Sequence, residues 1–249
     1  MEPPLGTVVE LHRYPVKSMR GERVQHAELD AAGLDGDRAW ALLDPLRNWA
    51  SAKTNRGRWK LVDGMLDLRA STVRDDGEDG ERVLVALPDG RTAVAGAPGT
   101  DELLSEHLGR PLRFDRGDRG YRWGRHHDAA PLHLVSTATL AGLADDDGSP
   151  LDPLRLRPNV VLETPPETTA FAEETWTGRL LALGESRLRV VEPTERCVMT
   201  TRAQGDEVPA GPTVLRRIGR ENAAKAGVYL AVVRPGRVTV GDALHVVEG

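Results

Sequence analysis

The sequence predicts a β-rich, mixed α/β fold in two domains, on three observations. Apolar residues fall in short runs, several of them alternating with polar ones, as strands with one buried face require. Turn residues are frequent, with 17 prolines and 26 glycines in 249 residues, which favours short strands over long helices. Helical signals are confined to three stretches.

The elements follow in chain order. Thr7 to Tyr14 alternates weakly, with Val9, Leu11 and Arg13 set against Val8, Glu10 and His12. Val24–Leu29 and Ala39–Leu43 also read as strands, and Gly33-Leu34-Asp35-Gly36-Asp37 between them is turn chemistry. Val83–Leu87 leads through the turn Pro88-Asp89-Gly90 to a strand at Arg91–Val94, and residues 75–80 form an acidic, glycine-broken hairpin loop. A short helix follows Ala97-Pro98-Gly99, capped by Thr100 or Asp101 and ended by Gly109. The expected domain boundary lies near residue 100, giving domains 1–100 and 101–249, with Asp115–Asp128 as another possible joint.

The second half mixes both types. Leu132–Val135 is a short strand, Ser136 can cap a helix through Leu143, and Val160–Leu162 is a buried strand. Leu180–Leu183 and Arg187–Val191 form a hairpin around Gly184-Glu185-Ser186. Thr213–Ala226 is the strongest helix, with Leu215 and Ile218 on one face and Gly227 as its stop. Strands at Val228–Val233, Arg237–Val240 and Leu244–Val247 close the chain.

Charge narrows the functional classes. The net charge is −5, and the 33 basic residues are spread along the chain without a block, so nucleic acid is not an expected partner. No apolar run approaches the ~18 residues that cross a bilayer. The start, Met1-Glu2-Pro3-Pro4, lacks the pattern of a signal peptide. The expectation is a cytosolic protein without a membrane partner.

The single cysteine, Cys197, excludes an internal disulfide and a CxxC metal site. It lies in Glu195-Arg196-Cys197-Val198-Met199-Thr200-Thr201. The adjacent arginine favours the thiolate, a soft ligand for polarizable metals, and the hydroxyls of Thr200 and Thr201 could bind an oxo group beside it. Local context by itself favours a buried cysteine packed as a small apolar residue. Lys17-Ser18, Arg38 and Arg157-Pro158-Asn159 place cations beside strand ends, where convergence would suit a phosphate. Each alone reads as a solvated surface charge. His126-His127-Asp128 could bind a metal, but its polar neighbours mark it as exposed. There is no GxxxxGK(S/T) loop, no strand–GxGxxG–helix unit and no GxSxG elbow.

In order along the chain, Tyr14-Pro15-Val16-Lys17-Ser18, Gly36-Asp37-Arg38-Ala39-Trp40, Leu134-Val135-Ser136 and Arg157-Pro158-Asn159-Val160 are followed by Trp176-Thr177-Gly178 and Arg196-Cys197-Val198-Met199-Thr200-Thr201. Gly227-Val228-Tyr229 and Gly236 through Asp242 complete the series. This arrangement resembles the MOSC (molybdenum cofactor sulfurase C-terminal) domain family. It is similar to the two-part members in which an N-terminal β-barrel domain precedes a MOSC β-barrel domain with a few short helices, such as amidoxime-reducing components and their bacterial relatives.

The resemblance implies that Cys197 ligates molybdenum held by molybdopterin. It implies that Lys17, Ser18 and Arg38 hold the cofactor's phosphate and pterin, and that Ser136, Thr137, Arg157 and Asn159 line the pterin. Arg196, Thr200, Thr201 and Tyr229 would complete the binding set. The implied activity is reduction of N-hydroxylated or related N–O and S–O small molecules, with electrons from a separate donor protein of ferredoxin or flavoprotein type. The alternatives are a sulfur-transfer protein carrying a persulfide on Cys197 and a non-catalytic carrier of the cofactor. The chain departs from the family pattern at two places, the first of which puts substrate preference in doubt. Arg202-Ala203-Gln204 stands where many relatives have Val-Asp-Pro, and Met19 where many have cysteine.

Overall fold

The computed structural model describes residues 3–74, 81–117, 125–145 and 147–247. The acidic hairpin loop expected at 75–80 lies outside them. Strands β1 (Gly6–Arg13), β2 (Glu22–Val24), β3 (His26–Asp30), β4 (Gly33–Leu34), β5 (Trp40–Leu43), β6 (Trp49–Ser51), β7 (Trp59–Leu61), β8 (Arg69–Arg74), β9 (Glu81–Ala86) and β10 (Thr92–Val94) precede helix α1 (Thr100–His107). Then come β11 (Arg113–Arg116), β12 (Leu132–Ser136), helix α2 (Thr137–Gly142), β13 (Val160–Glu163), β14 (Leu180–Leu183) and β15 (Ser186–Glu195). Helix α3 (Val214–Asn222), β16 (Lys225–Arg234), β17 (Gly236–Thr239) and β18 (Ala243–Val247) end the chain. The expected β-rich mixed fold is the observed one.

The C-terminal half builds a closed barrel. Its strands run β13-β12-β16-β15-β14-β18-β1, and pairing of β1 with β13 closes the seven-stranded ring. Only β12 and β13 run parallel within it. Alternation along β14 and β15 turns Leu181, Leu183, Leu188 and Val190 inward, where they meet Leu134, Val228 and Leu230. Gly184, at φ 52°, allows the tight β14–β15 turn that sets the register Leu183↔Ser186. Register shifts flank Pro193 near the end of β15, where the missing N–H cannot complete the ladder.

The N-terminal part folds around a second core that includes Val16, Met19, Leu42, Met65, Leu68 and Val85. Two sheets contribute, β8–β9–β10 and β11–β5–β6–β7. Leu104 of α1 and Leu112 pack in the same core, and β11 pairs with β5, so this core extends beyond residue 100. Conversely, β1 is a barrel strand, and β3 pairs with β17. The first 30 residues are therefore woven into the C-terminal sheets. No described helix is long and apolar enough to cross a membrane.

Several elements differ from expectation, among them Gly33–Leu34, expected within a turn, which forms β4. Helix α3 ends at Asn222 rather than Ala226, because Ala223 and Ala224 turn left-handed (φ 47° and 63°) and Lys225 starts β16 against Glu195. Sheet pairing here overrides the helix propensity of the alanines. Gly227 is accordingly no helix stop. It sits inside β16, where a Cβ would meet His133 Nε2 and Leu134 O at 2.5 Å. Helix α1 is preceded by Gly99, with no side-chain cap from Thr100 or Asp101. Ser136 does cap α2, accepting a hydrogen bond from the Thr139 N–H at 3.0 Å.

Candidate functional site

A cleft of about 480 Å³ opens where the two cores meet, and Cys197 lies on its wall. The cysteine lies two residues past the end of β15 and immediately precedes the 3₁₀ turn Val198–Thr201. Its side chain is exposed, so the alternative of a cysteine packed as a small apolar residue does not describe it. Thr200 holds the turn by donating Oγ1–H to Cys197 O at 3.0 Å, and Thr201 donates to Val198 O at 2.8 Å.

The facing wall comes from the segment after β1. Val16 bridges Trp40, and the Lys17 N–H donates to Trp40 O at 2.8 Å. That pairing fixes Lys17 in the cleft, where it is buried. Lys17 Nζ donates to His126 O (2.8 Å) and to Asp128 Oδ1 (2.5 Å), and lies 4.6 Å from the centre of the Trp49 ring. Burial pushes the Lys17 ammonium down to about 8, against the opposing pull of Asp128. Burial pushes the Asp128 carboxyl up, but Lys17 and Lys53 together hold it well below the usual carboxylate range. Lys53 donates to its other oxygen at 2.6 Å.

Arg38 and Arg157 enter from two further turns. Arg38 is bound to the fully buried Asp37, which also accepts the Tyr14 N–H at 2.7 Å. Burial works against the Arg38 charge, and Asp37 more than restores it. Arg157 follows the 3₁₀ helix Pro153–Arg155, and burial lowers its guanidinium to about 10. Ser18, Arg38 and Arg157 all adopt positive φ (64°, 50° and 52°), three of the seven non-glycine residues that do so among those described. Each such backbone costs roughly 1–3 kcal/mol. Three strained backbones thus border the cleft.

On the barrel side, Arg196 and Tyr229 join Cys197. Burial lowers the Arg196 guanidinium and raises the Tyr229 phenol. Arg196 donates to Leu156 O at 2.6 Å. His133 packs edge-on to Tyr229 at 5.9 Å, and burial holds it well below its ordinary value, hence neutral.

The structure thus brings Lys17, Ser18, Arg38, Arg157, Arg196, Cys197 and Tyr229 around one cavity. Ser136, Thr137, Asn159, Thr200 and Thr201 are not on its lining. Ser136 is buried against Glu173, to which its Oγ–H donates at 2.8 Å. Thr137 Oγ1 accepts the Thr164 N–H at 3.2 Å. Asn159 ties two strands, donating to His12 O (3.1 Å) and accepting the His133 N–H (3.2 Å).

Sequence reasoning missed Lys53, Arg56, Trp59 and His133, which line the cleft together with Asp128, exposed as expected. It also took His126 and His127 as exposed, and both are buried. His126 Nδ1 receives the Trp49 indole N–H at 3.1 Å, and His127 Nε2 lies 2.8 Å from Ala32 O. Burial lowers both imidazoles to about 4. Their polar neighbours concealed the cover that distant segments provide. A signal was available in Lys53-Thr54-Asn55-Arg56-Gly57-Arg58-Trp59-Lys60, which has four cations and no acid.

Chemically, the cleft suits an anion beside a soft metal. Six cations line it, Lys17, Arg38, Lys53, Arg56, Arg157 and Arg196, against the carboxylates of Asp128 and Glu195. Buried Arg157 Nη1 and Arg196 Nε have no acceptor among the described residues, and an anionic group would satisfy them. No cluster of three or more His, Cys, Asp or Glu side chains able to hold a metal occurs among the described residues. A metal at Cys197 would need its remaining ligands from a cofactor.

Two sequence-family profiles match the chain. The MOSC N-terminal beta barrel domain covers residues 5–93, and the MOSC domain covers residues 121–245. Mitochondrial amidoxime-reducing component 1 of Xenopus laevis is 27% identical, over 97% of this chain and 82% of its own length. The human protein of the same name is 25% identical, over 97% and 83%. The crystal structure of YuaD from Bacillus subtilis shares the fold, with a TM-score of 0.50 at 13% identity, covering 96% of this chain and 93% of that one. Both named relatives are mitochondrial proteins, which overturns the cytosolic expectation. That expectation rested on the first residues and on missing apolar runs, and neither reports a compartment.

Proposed function

Because this chain belongs to the two-part MOSC family, we propose that it is a molybdenum-cofactor-dependent reductase of N-hydroxylated or related N–O and S–O small molecules, supplied with electrons by a separate ferredoxin- or flavoprotein-type partner. The observation that carries the reading is an exposed thiol sharing one cleft with converging buried cations. Cys197 would be the protein's ligand to molybdenum. Lys17, Ser18, Arg38, Arg157 and Arg196 would hold the phosphate and pterin, and Tyr229 would border the metal. When bound, molybdopterin-held molybdenum supplies two-electron redox chemistry that amino-acid side chains lack.

The chain's own residues prepare the site. Lys17 and the arginines are fixed before any anion arrives, so little side-chain freedom remains to be lost on binding. The 3₁₀ turn built by Thr200 and Thr201 presents the Cys197 sulfur outward. Neutral His133 and the raised Tyr229 phenol add no charge beside the sulfur at pH 7.

The test is purification from a host that makes molybdopterin, followed by metal analysis and turnover of benzamidoxime with a chemical reductant. About one molybdenum per chain with benzamidine formed supports the proposal. Metal without turnover would favour a cofactor carrier. Absence of metal together with a cyanide-labile sulfur on Cys197 would favour a persulfide carrier.

A further inference from the structure

Tyr14 directly follows β1 and is 1% exposed. Its ring lies 5.0 Å from the guanidinium carbon of Arg38 and 4.2 Å from that of Arg157. Its backbone is tied to the same turn as Arg38. The Tyr14 N–H donates to Asp37 Oδ1, and the Arg38 N–H donates to Tyr14 O at 2.8 Å. The phenolic hydroxyl has no hydrogen-bond partner among the described residues, so the face of the ring, not its polar tip, makes the specific contacts.

We propose that Tyr14 is a positioning residue for the anion-binding wall, its buried ring serving as the common seat that holds the guanidiniums of Arg38 and Arg157 at the cleft. Two like charges brought to one ring repel each other, and each sits on a left-handed backbone. Such a placement persists only where surrounding groups over-determine it. Arg38 has Asp37, whereas Arg157 makes no ion pair among the described residues. The electron-rich ring face supplies the missing compensation, and a cation–π contact is strongest where water is excluded. The inference rests on the proposed function, since it gives Tyr14 a part in retaining the same anionic cofactor.

The experiment compares wild type with Tyr14→Phe, Tyr14→Leu and Leu11→Ala, each purified from a molybdopterin-producing host. Molybdenum per chain and thermal midpoint are measured for all four. Leu11 is buried on β1, the strand that leads to Tyr14, and is not on the cleft lining, so Leu11→Ala reports general loss of stability. Tyr14→Phe should retain wild-type metal, Tyr14→Leu should lose roughly tenfold, and Leu11→Ala should retain it at an equal or lower midpoint. Full retention in Tyr14→Leu, equal loss in Tyr14→Phe, or equal loss in Leu11→Ala would overturn the inference while leaving the proposed function intact. Wild type without molybdenum would overturn the proposed function, and the inference with it. Should Tyr14→Leu fail to fold, ring-fluorinated phenylalanines at position 14 keep the shape and deplete the face of negative charge. Metal retention should then fall stepwise with fluorination, and a flat response overturns the proposal.

Discussion

Lys17 and Cys197 line the same cleft, yet Lys17 is only 4% exposed whereas Cys197 lies open to solvent. The wall that carries Lys17 is buried and strained. It holds its cations with a buried carboxylate, backbone carbonyls and aromatic faces. The wall that carries Cys197 is a strand end followed by one turn of 3₁₀ helix, closed by short-range hydrogen bonds. The contrast teaches that charge must be enforced by the fold, because buried cations repel and are poorly solvated. A thiol needs only a stable perch and access.

That contrast can be broken by separating stability from binding. The largest effect is expected for Cys197→Ser, which should reduce bound molybdenum from about one per chain to near zero. With both proteins cofactor-free, its unfolding free energy should shift by no more than about 0.5 kcal/mol, as for other exposed positions. A large stability loss would show the thiol wall to be as enforced as its opposite.

Asp37→Ala probes the enforced wall directly. It leaves the Arg38 charge and the Tyr14 N–H without their buried acceptor. Breaking a buried pair from one side costs about 3–5 kcal/mol, to be read from denaturant unfolding.

A smaller effect sharpens the comparison through pH. The Lys17 ammonium is lowered to about 8 from an ordinary 10.5. Between these values the unfolded chain holds a proton that the folded chain has released. Stability of the cofactor-free protein should therefore rise with pH across that window, by at most about 1.4 kcal/mol per unit. Lys17→Met should remove that rise. Retention of an anion should move the other way, weakening above pH 8 as the ammonium is lost.

The smallest effect is expected for Ser136→Ala, which removes the α2 cap and one Glu173 partner. It should cost about 1–2 kcal/mol while leaving metal content unchanged, since Ser136 lies off the cleft. Loss of metal in this variant would place the residue back among the binding groups.

Much of the barrel was legible along the chain. The β14–β15 hairpin follows from alternation and Gly184, and α2 follows from Ser136 ahead of an apolar run. The three-residue strands β6 and β7 were not legible, because so short a segment carries no period. The end of α3 falls four residues short of expectation because the chain pairs Lys225 with Glu195 instead of continuing the helix. In the site, the reactive types were visible, but Lys53, Asp128 and His133 gave no local sign of where they would meet.

What the sequence alone determined is the chemical repertoire: one thiol, arginines and a lysine beside turns, and strands short enough to need a closed sheet. Only the tertiary structure decided that Lys17 and Arg38 face Cys197, and that Ser136 and Asn159 do not. The reason is that side-chain chemistry belongs to each residue. Convergence instead depends on β1 closing the barrel against β13 and on Trp40 fixing the segment after it, contacts between residues far apart along the chain.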